Sequence, residues 1–360
     1  MYGVTPVGEG AKHRAAYDVI VFDQEDGGHP STVLGAASVA SLRPTPGTRQ
    51  AGATMTFTLY PDTRLALARD SLAGLSVGDA LGSQFFVPGR HPADLAADRL
   101  PPPPWQWTDD TEMACSVLAQ LAAAGRIDRD SLALDFAGRC EPYRGYGPGA
   151  VRILRLIRTG TPWPVAAASA FDGQGSCGNG AAMRVAPLGA YFADSTSRVV
   201  AQAQASAEVT HAHPEGIAGA VAVAVAAARA ARARLEGDRP DPERLLASVA
   251  AAVDPATEVH RGVRRAAGLL GRPLPEAVDT LGNGSRVTAP DTVAFTCWVA
   301  ATHLDDYPAA VRACVEAGGD VDTTAAIAGG IVAAYTGVAT DGGVPADWLA
   351  AREPLPDWVG

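Results

Sequence analysis

From Thr63 onward one pattern repeats: apolar residues recur at every third or fourth position, and clusters of glycine and proline break the runs. In 63–77 the apolar positions are Leu65, Ala68, Leu72 and Leu75, close to the 3.6-residue period of an α-helix. The same spacing predicts helices over 110–124, 151–158, 195–209, 217–235, 242–253, 257–270, 289–302, 307–317 and 323–335. Period-two alternation, the mark of a half-buried strand, is nearly absent, and no fixed-period repeat is found. Alanine, the best helix former, dominates much of the chain beyond Ala114. The fold class expected is therefore all-α, a compact multi-helix domain.

The first sixty residues differ. The stretch 18–23, DVIVFD, suits one short strand, and 42–54 is turn and linker chemistry. Either residues 1–54 are an extension or translation begins at Met55. The expected division is an N-terminal extension over 1–60, a functional domain over 62–345 and a tail over 346–360. In the tail, Trp348 and Trp358 are candidates to anchor it to the domain.

With 47% hydrophobic and 19% charged residues over 360 positions, the chain can bury a full core. Its net charge of −10 disfavours nucleic acid and anionic membranes as large-surface partners. Cys115, Cys140, Cys177, Cys297 and Cys314 lack CxxC spacing, which suits a reducing compartment and argues against a disulfide framework or a zinc knuckle. The N-terminus does not read as a signal peptide, and the longest apolar run, 217–228, is too short to span a bilayer. A cytoplasmic protein without a membrane or nucleic-acid partner is expected. The oligomeric state is left open, with a monomer favoured.

Two short acidic sequences each open a helix: Trp107-Thr108-Asp109-Asp110-Thr111, and Gly318-Gly319-Asp320-Val321-Asp322-Thr323-Thr324. Singly, such residues are ordinary N-caps. Together they exceed what capping requires, because each site offers two carboxylates plus hydroxyls. Adjacent carboxylates repel, and a cation between them relieves that repulsion. Oxygen donors without His or Cys select Mg²⁺, Mn²⁺ or Ca²⁺ over zinc. If the two clusters converge, they form a binuclear site with metals about 3.5–4 Å apart.

Between them lies 173–180, GQGSCGNG, followed by the apolar AAMRVAPLG. Dense glycine lets backbone N–H groups approach a phosphate, although such loops are also simple turns. It is not a P-loop, so nucleoside triphosphate hydrolysis is disfavoured. In Thr210-His211-Ala212-His213-Pro214 the paired histidines lack further ligands for zinc. His211 is expected to contact ligand or to cap the helix beginning near Glu215, and His213 to be structural.

Four segments in order resemble the ADP-ribosylglycohydrolase superfamily: GLSVGDALG (74–82), WTDDTEM (107–113), GNGAAMRVAPLG (178–189) and GGDVDTTAAIAGGI (318–331). The Thr210-His211 pair falls where the family also has TH, and the resemblance covers roughly 65–340. It implies an orthogonal helical bundle with a central cleft holding two Mg²⁺ or Mn²⁺. It implies metal ligands at Thr108, Asp109, Asp110, Asp320, Asp322 and Thr323, with Asp109 or Asp110 moving the proton. It sets Gly175, Ser176, Gly178, Asn179, Gly180 and His211 along the ADP-ribose. The activity implied is hydrolysis of the glycosidic bond between ADP-ribose and a modified protein or small molecule. Some branches, the serine and poly-ADP-ribose hydrolases among them, carry a glutamate four residues after GDxxG; here that position is Phe86. This favours an arginine N-glycoside, with Phe86 either lining the substrate channel or packed as core. The alternatives are a hydrolase redirected to another N-glycosidic small molecule and a non-catalytic ADP-ribose-binding relative.

Overall fold

The computed structural model describes residues 19–21 and 57–359. The chain separates into two units, one ending at Thr63 and one beginning at Arg64. In the first, strands β1 (Val19–Val21) and β2 (Phe57–Leu59) pair antiparallel, with Ile20 opposite Thr58. The strand expected over 18–23 is thus β1; the linker at 42–54 and Met55 lie outside the described residues.

Helices follow in the order α1 (Pro61–Ser83), α2 (Pro92–Ala96), α3 (Asp109–Ala124), α4 (Arg129–Arg139), α5 (Pro148–Arg158), α6 (Trp163–Ala168), α7 (Ala186–Tyr191) and α8 (Thr196–Glu208). They continue with α9 (Pro214–Glu236), α10 (Pro242–Ala250), α11 (Glu258–Ala267), α12 (Leu274–Leu281), α13 (Ala289–Thr302), α14 (Tyr307–Ala317), α15 (Val321–Thr336) and α16 (Ala346–Ala351). Each segment predicted as helical overlaps one of these, and α2, α4, α6, α7, α12 and α16 come in addition.

The centre of the second unit is α9, apolar on nearly every face, with α7, α8, α13 and α15 packed around it. Such a helix must be enclosed. At 23 residues α9 is long and apolar enough to cross a membrane, contrary to the reading of 217–228 as too short, but 83% of its apolar window is buried inside the fold. That is the burial of a core helix. Its start is capped by His213, whose Nδ1 accepts from the Glu215 backbone N–H at 3.1 Å. The capping alternative for His211 therefore belongs to His213.

Glycines set the spacing of α1 and α15. A Cβ on Gly78 would stand 2.2 Å from the Ala325 carbonyl oxygen, and one on Gly74 would stand 2.5 Å from that of Gly329. A Cβ on Gly82 would lie 2.7 Å from the Cα of Asp322. Only hydrogen side chains let the two backbones meet this closely. That contact puts the end of α1 against the start of α15.

The tail is built into the second unit. Trp105 N–H donates to the Ala351 carbonyl at 2.7 Å, and Glu353 N–H to that of Trp105 at 2.8 Å. Trp348 is buried edge-on against Trp105 and Tyr307, and the Arg139 guanidinium covers the Trp358 ring at 4.1 Å.

Candidate active site

The two acidic helix starts converge, and a third carboxylate joins them. Ligand atoms of Asp79, Asp110 and Asp322 all lie within 4.8 Å of one another. Asp110 and Asp322 were expected together. Asp79 was not, because it sits inside α1, where nothing in its spacing separates it from a helix interior. Its local signal is the flanking Gly78 and Gly82, which admit α15 closely enough to bring Asp322 beside it.

Asp79 is fully buried and organises the turn that carries the first motif. Its Oδ2 accepts from the backbone N–H of Thr108 at 2.9 Å and of Thr111 at 3.2 Å. The hydroxyls of Thr108 and Thr111 donate to Oδ1 and Oδ2 at 2.8 and 2.5 Å. Thr108 caps α3 through its own hydroxyl, which accepts from the Asp110 N–H at 3.4 Å. Capping is thereby supplied by a threonine, and Asp109 and Asp110 are left for other work. Asp110 Oδ2 accepts from the Thr323 hydroxyl (3.5 Å), which joins the two motifs directly, and lies 3.1 Å from the Thr108 hydroxyl. Asp110 Oδ1 is buried with no partner among the described residues.

The second motif behaves alike. Asp320 is the N-cap of α15 yet makes no side-chain capping bond. Its carboxylate instead accepts from the Asn179 amide at 2.7 Å, and the same amide donates to Thr292 at 3.1 Å. The Asn179 side chain, expected along the ADP-ribose, thus has its amide nitrogen engaged in holding Asp320.

Burial raises every carboxyl here, and repulsion adds to it at Asp109, Asp110 and Asp322. Asp79 is pushed up to about 6 by burial, against four opposing hydrogen bonds. Asp109 rises to about 7 through burial and repulsion from Asp79, Asp320 and Glu112. Asp110 and Asp322 lie well above the usual carboxylate range for the same two reasons. No cationic side chain pairs with Asp79, Asp110 or Asp322 among the described residues. A buried all-oxygen donor set with an unpartnered oxygen fits a hard divalent cation, and such an ion removes the repulsion.

The glycine loop lies beside this cluster, tied by Asn179 to Asp320. Two backbone bonds pin it: Asn179 N–H to Val287 O at 3.3 Å, and Ala289 N–H to Cys177 O at 2.9 Å. Ser176 Oγ accepts from Gly178 N–H at 3.1 Å. Gly175 has φ +78°, and a Cβ there would strike the backbone at 212–213. Cβ atoms on Gly178 and Gly180 would stand 3.3 and 3.2 Å from His211 Nε2, so the loop and His211 face each other. Burial and the neighbouring Arg184 cation lower the His211 imidazole to about 3, which keeps it neutral.

The sequence profile of the ADP-ribosylglycohydrolase family matches residues 60–359. The chain belongs to the ADP-ribosylglycohydrolase family. It is 30% identical over 331 residues to the human ADP-ribosylhydrolase ARH3, covering 80% of this chain and 90% of that protein. It is 29% identical over 337 residues to the Bos taurus ADP-ribosylhydrolase ARH3, covering 80% and 89%. A solved structure titled ADP-ribosylglycohydrolase-related protein complex superposes with a TM-score of 0.57 at 29% identity, covering 81% of this chain and 94% of that one. This ADP-ribosylglycohydrolase is a hydrolase with the all-α fold of its family. Phe86 follows α1 in a short 3-10 turn and is 55% exposed, which removes the alternative of a core residue.

Proposed function

We propose that this ADP-ribosylglycohydrolase releases ADP-ribose from arginine N-glycosides on modified protein, using a pair of Mg²⁺ or Mn²⁺ ions. The observation that carries the reading is the buried, unpaired carboxylate cluster, with Asp110 Oδ1 open, beside a glycine loop that faces a neutral histidine. Thr108, Asp109, Asp110, Asp320, Asp322 and Thr323 would hold the ions. Bound, the ions would supply Lewis-acid stabilisation and orient the hydroxyls of the distal ribose. Asp79 holds the Thr108–Thr111 turn and Asn179 holds Asp320, so both act on the ligand set from behind.

Proton transfer falls to Asp109. Asp110 is buried and held by the Thr323 hydroxyl, whereas Asp109 keeps partial exposure and can exchange protons with water or with the leaving nitrogen. As the C1″–N bond breaks through an oxocarbenium-like state, its electron pair leaves with the guanidine nitrogen, a water oxygen bonds to C1″, and one carboxyl carries the proton from that water to the departing nitrogen. The arginine linkage is supported by Phe86, which offers neither a ligand nor a proton where other branches carry glutamate. The glycine loop, with Gly175, Ser176, Gly178 and Gly180, accommodates the diphosphate of the ADP-ribosyl group.

The test is release of ADP-ribose from arginine-linked and serine-linked ADP-ribosylated protein, in Mg²⁺, Mn²⁺ or EDTA, for wild type and Asp322→Asn. Release from the arginine linkage that EDTA and the substitution abolish is expected. Release from the serine linkage alone would overturn the linkage, and release undiminished in EDTA would overturn the metal reading.

A further inference from the structure

Beneath the glycine loop lies a guanidinium with no carboxylate partner among the described residues. Arg184 is 0% exposed, Thr210 1% and His211 6%, so all three side chains are out of water. Arg184 Nη2 donates to the Ser206 carbonyl at 2.6 Å and to the Thr210 hydroxyl at 3.0 Å. Its Nη1 donates to the Gly180 carbonyl at 3.2 Å, and the Phe136 ring lies 4.5 Å from the guanidinium carbon. One cation therefore holds both the loop and the turn that carries His211.

Placing the hydrogens fixes the tautomer of His211. A guanidinium only donates, so Thr210 Oγ1 accepts from Arg184 and has one hydrogen of its own to place. Thr210 Oγ1 lies 2.8 Å from His211 Nδ1. If Nδ1 carried a hydrogen, the hydroxyl would accept twice and leave its own hydrogen stranded in a dry site, which is costly. The hydroxyl donates to Nδ1, and the neutral ring carries its proton on Nε2. That nitrogen has no partner among the described residues, and it faces the gap that Gly178 and Gly180 leave by lacking side chains.

We propose that Arg184 is a positioning residue: through the Thr210 hydroxyl it locks His211 as the Nε2–H tautomer, which donates to an oxygen of the ADP-ribosyl group at the glycine loop. The proposal rests on the functional reading for the identity of that ligand, but the tautomer stands on geometry alone. The device supplies a donor that does not switch with pH, because the ring is neutral throughout the working range. Arg184 also keeps that donor in register with the loop through the Gly180 carbonyl.

The test reads the two ring nitrogens of His211 by long-range ¹H–¹⁵N NMR in the metal-loaded protein, and titrates free ADP-ribose by calorimetry. Wild type is expected to show protonated Nε2 and unprotonated Nδ1. Thr210→Val, which keeps the shape and removes the hydroxyl, is expected to mix the tautomers and weaken ADP-ribose about tenfold. Thr210→Ser is expected to restore both. A wild-type spectrum with the proton on Nδ1 overturns the proposal whether or not the valine variant folds. ADP-ribose binding equally to wild type and Thr210→Val also overturns it, and leaves the functional reading intact. Failure of ADP-ribose to bind wild type while Nε2 is protonated sinks the functional reading and, with it, the ligand assigned to the donor.

Discussion

Replacing Gly78 by alanine tests whether the α1–α15 contact sets the geometry of the acidic cluster. The added Cβ would stand 2.2 Å from the Ala325 carbonyl oxygen and 2.7 Å from its carbon. An ordinary carbon–oxygen contact is more than about 3 Å, so the helices must part by roughly 1 Å, a backbone displacement that no rotamer can absorb. Overpacking of this kind costs about 1–3 kcal/mol, and the better helix propensity of alanine returns up to about 1 kcal/mol. A net loss of about 1–2 kcal/mol lowers the melting temperature by several degrees. The larger effect falls on function. Gly78 precedes Asp79, and Ala325 follows Asp322 by one helical turn. The carboxylates on the two helices therefore separate by about the same 1 Å, which metal–oxygen bonds near 2.1 Å do not tolerate. Misplacement on that scale costs on the order of a hundredfold in rate. The assay is ADP-ribose release together with a Mn²⁺ titration, with Gly138→Ala as control, since a Cβ on that exposed residue of α4 meets nothing within 4 Å. A Gly78→Ala protein with lowered stability but wild-type turnover and Mn²⁺ affinity would refute the reasoning.

Asp109 has a folded-state value of about 7 against an ordinary 3.8, so its stabilising contribution is present at low pH and is lost as pH rises through 7. Urea denaturation in EDTA should show the metal-free enzyme a few kcal/mol less stable at pH 8 than at pH 5, and Asp109→Asn should flatten that slope. A slope the variant leaves unchanged would count against the repulsion described for the cluster. Asn179→Leu removes the amide from Asp320 and should weaken Mn²⁺ binding about 10- to 100-fold with the helical content intact, measured by calorimetry and circular dichroism. Trp348→Ala empties the space between Trp105 and Tyr307 and should cost about 3–5 kcal/mol in thermal denaturation; a loss below about 1 kcal/mol would mean that the tail is not part of the core.

Much of this was legible in the sequence because periodicity reports burial directly. The apolar stripes marked α3, α8, α9, α10, α13 and α15, and the two acidic starts stood out because each carried more carboxylate than a cap can use. Shorter helices were silent: α7 has six residues, Ala186–Tyr191, too few for a period to show, and α6 has six. Asp79 was hidden for a different reason. Inside α1 it reads as one polar residue on an apolar stripe, and only the close approach of α15 through neighbouring glycines gives it a purpose. The His211 and His213 assignments were divided by a small difference of phase: the chain turns at Pro214, so His213 meets the exposed N–H groups of α9 and His211 turns inward to Thr210. Phe86 could be flagged from its place in the motif, but its exposure depends on the end of α1, which the residue pattern does not fix.

The bonds from Trp105 to Ala351 and Glu353, and the meeting of Asp79 with Asp322, give the order of synthesis a consequence. The ribosome delivers Asp79, Asp109 and Asp110 early, and their counterparts on α15 only after more than half of the chain has followed. At elongation rates of about 5–20 residues per second, that interval is on the order of 10–40 seconds. During it the nascent chain carries half of the acidic cluster with nothing to close it. The last helices to emerge, α15 and α16, therefore act as the latch of the fold, and a chain released before residue 353 would carry the Thr108–Thr111 turn without the strap that pairs with Trp105 beside it.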